Sequence, residues 1–71
     1  MSLNTQDWHR ADIRAALEKR GTNLRTLSRG AGLAADTLRN TLSRPWPKGE
    51  QIIAQALGVD PQIIWPSRYQ K

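Results

Sequence analysis

Arg39 and Asn40 are the side chains best equipped for recognition chemistry, an adjacent pair within the string LRNTL at residues 38–42. A guanidinium donates two parallel hydrogen bonds to a guanine edge, and a carboxamide pairs in the same two-point way with adenine. Around them, Ala35 and Thr37 can pack on a thymine methyl, and Thr37 can also reach a phosphate. Asp36 can accept from a cytosine amine, although an acid at the start of a helix also suits the helix dipole. A second set has the residue types that hold phosphate oxygens without reading bases: Thr22, Asn23, Arg25, Arg29, Arg44 and Lys48. Ordinary solvated surface charge is the bland alternative for each arginine.

These side chains act together only if the chain presents them on one surface, and the spacing of residues 24–42 does so as a helix-turn-helix. Leu24 and Leu27 share one face of a short helical pattern, with Ala31 a turn further on. Gly32 stands at the junction, where a left-handed backbone turns the chain without a Cβ clash. Leu33 follows, and Leu38 and Leu42 form an i, i+4 apolar edge on the second pattern, expected over residues 35–43. Asp36, Thr37, Arg39, Asn40 and, past the end, Ser43 and Arg44 are then turned outward. Small residues at Ser28 and Ala31 allow the two helices to cross closely. Such a pair places its second helix in the major groove of a duplex.

The flanking segments supply a frame. A first helix is expected from Asp7 as N-cap to about Arg20, with Gly21 as its stop. Trp8, Ile13, Ala16 and Leu17 point inward on it, and Arg10, Arg14, Glu18, Lys19 and Arg20 are solvated. Asn23 (or Thr22) caps the second helix. The string RPWPKG at residues 44–49 is a rigid loop because two prolines fix φ and exclude helix at the residues before them. A fourth helix over residues 48–57 turns Ile52, Ile53, Ala56 and Leu57 inward and stops at Gly58. Asp60-Pro61 opens a fifth over residues 62–65, which Pro66 ends. The fold class expected is all-α: a bundle of about five short helices, with a loose arm at residues 1–6, a domain at 7–66 and a basic tail at 67–71. Trp8 and Trp65 belong to the core, since the chain has no phenylalanine to fill it. Trp46, held between prolines, is the one tryptophan to consider near DNA, with structural packing the favoured reading, and His9 sits at the surface.

Composition narrows the function. Eleven Lys+Arg against six Asp+Glu give a net charge of +5 in 71 residues, a bias toward a polyanionic partner. With no cysteine and a single histidine, no catalytic triad or metal site can be assembled, and GAGLA lacks the lysine and spacing of a phosphate-binding loop. Asp12 and Glu18, six residues apart, fall on different faces of the first helix. No enzyme activity, metal, cofactor or small-molecule ligand is expected. Apolar runs of a few residues exclude a membrane span, and the start of the chain lacks a signal-peptide core, so the cytoplasm, in association with the nucleoid, is the expected location. Neither an RNA-stacking platform nor a lysine-rich amphipathic face is present. Two other readings stand beside sequence-specific duplex binding. One is a protein-interaction adaptor or antitoxin-like module on the same fold; the other is a nonspecific DNA binder. No heptad pattern supports a stable dimer, so a monomer is expected in solution, with two copies about one helical turn apart on DNA.

The arrangement resembles the lambda-repressor-like DNA-binding domains, in which the second and third helices read DNA and later helices close the core. More specifically, DWHRADI (7–13), LSR (27–29), WPKGEQIIAQAL (46–57) and IWPSRYQ (64–70) are similar to the Ner family. That family comprises small DNA-binding regulators of Mu-like transposable phages and Ner-like proteins of bacterial chromosomes. The resemblance runs through nearly the whole chain after residue 6. It implies a sequence-specific transcriptional regulator acting as a repressor, with double-stranded operator DNA as partner. Thr41 departs from the wider helix-turn-helix pattern, which often has a larger aliphatic residue there.

Overall fold

Ile13, Leu17, Leu24, Leu38, Ile53, Ala54, Leu57, Ile64 and Trp65 meet in one buried cluster, and each helix from the first to the fifth brings at least one residue to it or sits directly beside one that does. The computed structural model describes residues 7–69. The arm expected at residues 1–6 and the last two residues of the expected tail lie outside the described residues. Helix α1 spans Arg10–Lys19, α2 Leu24–Gly30, α3 Arg39–Ser43, α4 Pro47–Leu57, α5 Pro61–Ile64 and α6 Pro66–Tyr69. Among the described residues there is no strand.

The start of α1 differs from expectation. His9 is its N-cap, with Nδ1 accepting the Ala11 N–H at 3.0 Å. Asp7 is engaged across the molecule instead, accepting from the Ser67 N–H at 3.0 Å and from its hydroxyl at 2.7 Å. Trp8, between them, donates its backbone N–H to the Ile64 carbonyl at 2.9 Å and is half-buried rather than fully in the core. Asp7 and Trp8 are thereby tied to α6 and α5.

Asn23 caps α2 as expected, its side-chain oxygen accepting the Thr26 N–H at 2.8 Å. Gly32 has φ 78, the left-handed turn that the junction requires. Ala31 does not line the helix crossing: α2 ends at Gly30, and the turn that follows leaves Ala31 exposed. Ser28 alone makes the close approach. It is fully buried, and its Oγ accepts the Leu38 N–H at 3.2 Å.

That bond explains a second departure. Helix α3 begins at Arg39, not near residue 35, and residues 35–38 form tight turns. Their backbone bonds run from each residue to the third before it: Thr37 to Ala34, Arg39 to Asp36 and Asn40 to Thr37, at 3.0–3.2 Å. Leu38, at φ −68 and ψ −20, has the matching 3₁₀ geometry. With no side-chain cap at the start of α3 and its N–H turned to Ser28, Leu38 cannot extend an α-helix backwards.

The apolar edge of α3 shifts accordingly. Leu38 and Thr41 are buried and Leu42 is half-buried, so Thr41 takes the core position expected of Leu42. Gly49 of α4 is what admits it. A Cβ on Gly49 would collide with Thr41 Oγ1 and with the Trp46 ring, whose Cζ3 would lie 2.9 Å away. Trp46 is half-buried against the core, in keeping with a packing role.

Helix α4 buries Glu50, Ile53, Ala54 and Leu57, while Ile52 and Ala56 are only half-buried, so its inner face is rotated from the one expected. The cause is Glu50, a carboxylate 2% exposed. Its Oε2 accepts the Trp46 N–H at 2.9 Å and Arg68 Nη1 at 3.0 Å, and its Oε1 accepts the Tyr69 hydroxyl at 2.5 Å. Arg68 also lies 5.0 Å from the centroid of the Trp65 ring, within cation–π range. Helix α5 starts at Pro61 and ends at Ile64, one residue earlier than expected, and Trp65 leaves helical geometry to bury its indole. No α5 residue lies beyond Pro66, as expected, but Pro66 also opens α6, so Ser67–Tyr69, read from sequence as tail, belong to a helix pinned on Glu50.

Candidate nucleic-acid interface

Arg39 and Asn40 are both exposed, at the start of α3, on the side away from buried Leu38 and Thr41. Asp36 precedes Arg39 by three residues. In a 3₁₀ turn residues at this spacing eclipse one another, and Asp36 Oδ1 lies 4.0 Å from Arg39 Nη1. Both side chains are largely exposed, 73% and 63%, so the pair is solvent-screened and adds little stability. Ala35 and Thr37 are half-buried beside them.

Two clefts meet at this point. One, of about 360 Å³, lies between α1, the start of α2 and the turns before α3. Arg14, Leu17, Glu18, Asn23, Leu24, Arg25, Ala35, Asp36 and Arg39 line it. The other, of about 320 Å³, lies between α1 and α3, lined by Arg10, Arg14, Asp36, Arg39, Asn40, Leu42 and Ser43. The structure thus brings Ala35, Asp36, Arg39 and Asn40 together with Asn23 and Arg25. Thr22, Arg29, Thr37, Arg44 and Lys48 line neither cleft. Arg29, Arg44 and Lys48 are exposed, and Thr22 is half-buried with its N–H bonded to the Leu17 carbonyl at 3.0 Å. Asn23 has committed its oxygen to the α2 cap, so its amide NH₂ is the group left for a ligand.

Arg10 and Arg14 are exposed, as expected of solvated residues, yet they form a wall of the site. Sequence reasoning passed over them because which face of α1 meets α3 depends on the packing of the whole bundle. The one local sign is their i, i+4 spacing, which puts both on one face.

The fold and this surface define a helix-turn-helix protein whose second motif helix carries exposed hydrogen-bonding side chains. The family described as winged helix-turn-helix DNA-binding matches residues 7–71. Among similar proteins, Sugar fermentation stimulation protein B of Escherichia coli is 62% identical over 69 residues, covering 97% of this chain and 75% of that protein. The Negative regulator of transcription of Escherichia phage Mu is 62% identical over 65 residues, covering 92% and 87% of the two chains. The Mu-like prophage FluMu DNA-binding protein Ner of Haemophilus influenzae is 45% identical over 64 residues, covering 90% and 72%. The solution structure of the Mu Ner protein superposes with a TM-score of 0.80 at 62% identity, covering 90% of this chain and 86% of that one. The chain belongs to the Ner family of helix-turn-helix DNA-binding proteins. Among the described residues no β-hairpin is present to act as a wing.

Proposed function

We propose that this protein is a sequence-specific double-stranded-DNA-binding regulator of transcription that acts as a repressor, with α3 and the turns before it entering the major groove. The observation that carries the reading is the exposed Arg39–Asn40 pair at the start of an element whose opposite side is locked by Leu38, Thr41 and Ser28. Arg39 takes a guanine edge and Asn40 an adenine edge, while Ala35 and Thr37 offer methyl contacts and Asp36 an acceptor. Thr22, Asn23, Arg25, Arg29, Arg44 and Lys48 hold the flanking phosphates. The net charge of +5 draws the protein to DNA without choosing a sequence.

Repression by occluding a promoter accords with the name of the phage Mu relative, a negative regulator of transcription. The protein works in the cytoplasm on nucleoid DNA, as a monomer in solution that pairs on its operator. Residues 7–66, extended by α6, form the DNA-binding domain. The test is selection from random duplexes at about physiological salt, where purely electrostatic binding is suppressed. Enrichment of a short motif is expected, and a promoter carrying that motif should be turned down by the protein in a reporter assay. Binding that fades with salt and enriches nothing would make it a nonspecific DNA binder. Absence of duplex binding would point to a protein partner.

A further inference from the structure

The cleft between α1 and α3 carries an excess of positive charge. Arg10, Arg14 and Arg39 face a single carboxylate there, Asp36, and that carboxylate already has Arg39 beside it at 4.0 Å. The neighbouring cleft carries three arginines against two carboxylates, Glu18 and Asp36, and is the poorer anion site. Among the described residues Arg10 and Arg14 make no ion pair, so both guanidiniums are open to a ligand. Asn40 and Ser43 add neutral hydrogen-bonding groups on the opposite wall.

We infer that this cleft is a phosphodiester site, in which Arg10 and Arg14 of α1 grip the DNA backbone beside the groove entered by α3. The inference rests on the major-groove reading above. The spacing suits the ligand: residues four apart on a helix share a face and rise roughly 6 Å along it. Two guanidiniums in a row then meet one strand of phosphates, each offering the forked donor pattern that phosphate oxygens match. Because Arg39 and Asn40 share the cleft, a phosphate held by Arg10 and Arg14 sets the depth and register at which they meet the bases. Helix α1 therefore positions the reader rather than reading.

The experiment measures binding of Arg10→Gln, Arg14→Gln and the double variant to the selected operator and to random duplex, over a range of salt. Lys19→Gln is the charge-matched control, since Lys19 is exposed, lines neither cleft and lies about 140° around α1 from Arg14. Each arginine variant is expected to lower the slope of log K against log salt by about 0.9. Affinity should fall by the same factor on operator and random DNA, with circular dichroism and melting unchanged. An unchanged slope, or an equal drop in Lys19→Gln, overturns the inference. So does a loss confined to one base pair, which would make these arginines base readers. Wild-type protein that binds no duplex at all would instead bring down the major-groove reading on which the inference stands.

Discussion

Ser28 Oγ accepts the backbone N–H of Leu38 across a buried gap of 3.2 Å, and this bond sets where α3 begins. It fixes α2 to the last turn before α3, so the angle at which Arg39 and Asn40 leave the surface depends on it. Ser28→Ala leaves a buried N–H without a partner, at a cost of about 1–3 kcal/mol in stability. Denaturant unfolding is the check. Unchanged stability would mean that Leu38 finds another acceptor.

Thr41 presents the opposite case. Its Oγ1 is buried with no hydrogen-bond partner among the described residues, wedged against the Gly49 backbone. Thr41→Val keeps the shape and removes the unsatisfied hydroxyl, so stability should rise by about 1 kcal/mol. A fall would show that the hydroxyl has a partner, such as a bound water, that the valine cannot replace.

Tyr69 is the only tyrosine, so its ionisation can be followed by absorbance alone. The hydrogen bond to Glu50, helped by burial and the nearby carboxylate charge, raises its pKa from 10.0 to about 12. The stability it adds is complete below 10 and is lost as pH climbs through about 12. Burial pushes the Glu50 carboxyl up, but the hydrogen bonds from Tyr69, Trp46 and Arg68 outweigh it and leave the group below its ordinary 4.5. Its contribution is therefore complete above 4.5 and disappears as pH falls through the lowered value. Glu50→Gln should bring the tyrosine titration back toward 10 and flatten the acid limb of the stability curve. A wild-type midpoint near 10 would contradict the Glu50–Tyr69 bond.

Arg25, in the first turn of α2, and Arg44, the C-cap of α3, are exposed, and the proposal assigns both to phosphates. Arg25→Ala and Arg44→Ala should weaken every duplex alike and reduce the salt slope by about 0.9 each. Selective loss at one operator position would make the residue concerned a base reader.

The helix-turn-helix was legible because its determinants are local: Leu24, Leu38, the Asn23 cap and the left-handed turn at Gly32. The exposed pair Arg39–Asn40 followed from the same periodicity. What escaped depends on partners far along the chain. Asp7 has cap chemistry, but Ser67 claims it from sixty residues away. Glu50 looks like a surface acid until α6 brings Arg68 and Tyr69 over it, and Pro66, which ends a helix by its ring, also begins one. The late start of α3 comes from Ser28, ten residues earlier, and the cleft formed by Arg10 and Arg14 exists only once α1 lies beside α3.

The most direct test of the account is the operator preference of Arg39→Ala and Asn40→Ala, measured against wild type on the selected duplex and on each single-base variant of it. Each alanine should cost about 1–3 kcal/mol on the selected sequence and abolish discrimination at one guanine or one adenine position, leaving nonspecific binding and its salt slope nearly intact. If both variants bind the selected sequence as tightly and as selectively as wild type, α3 does not read the bases through this pair.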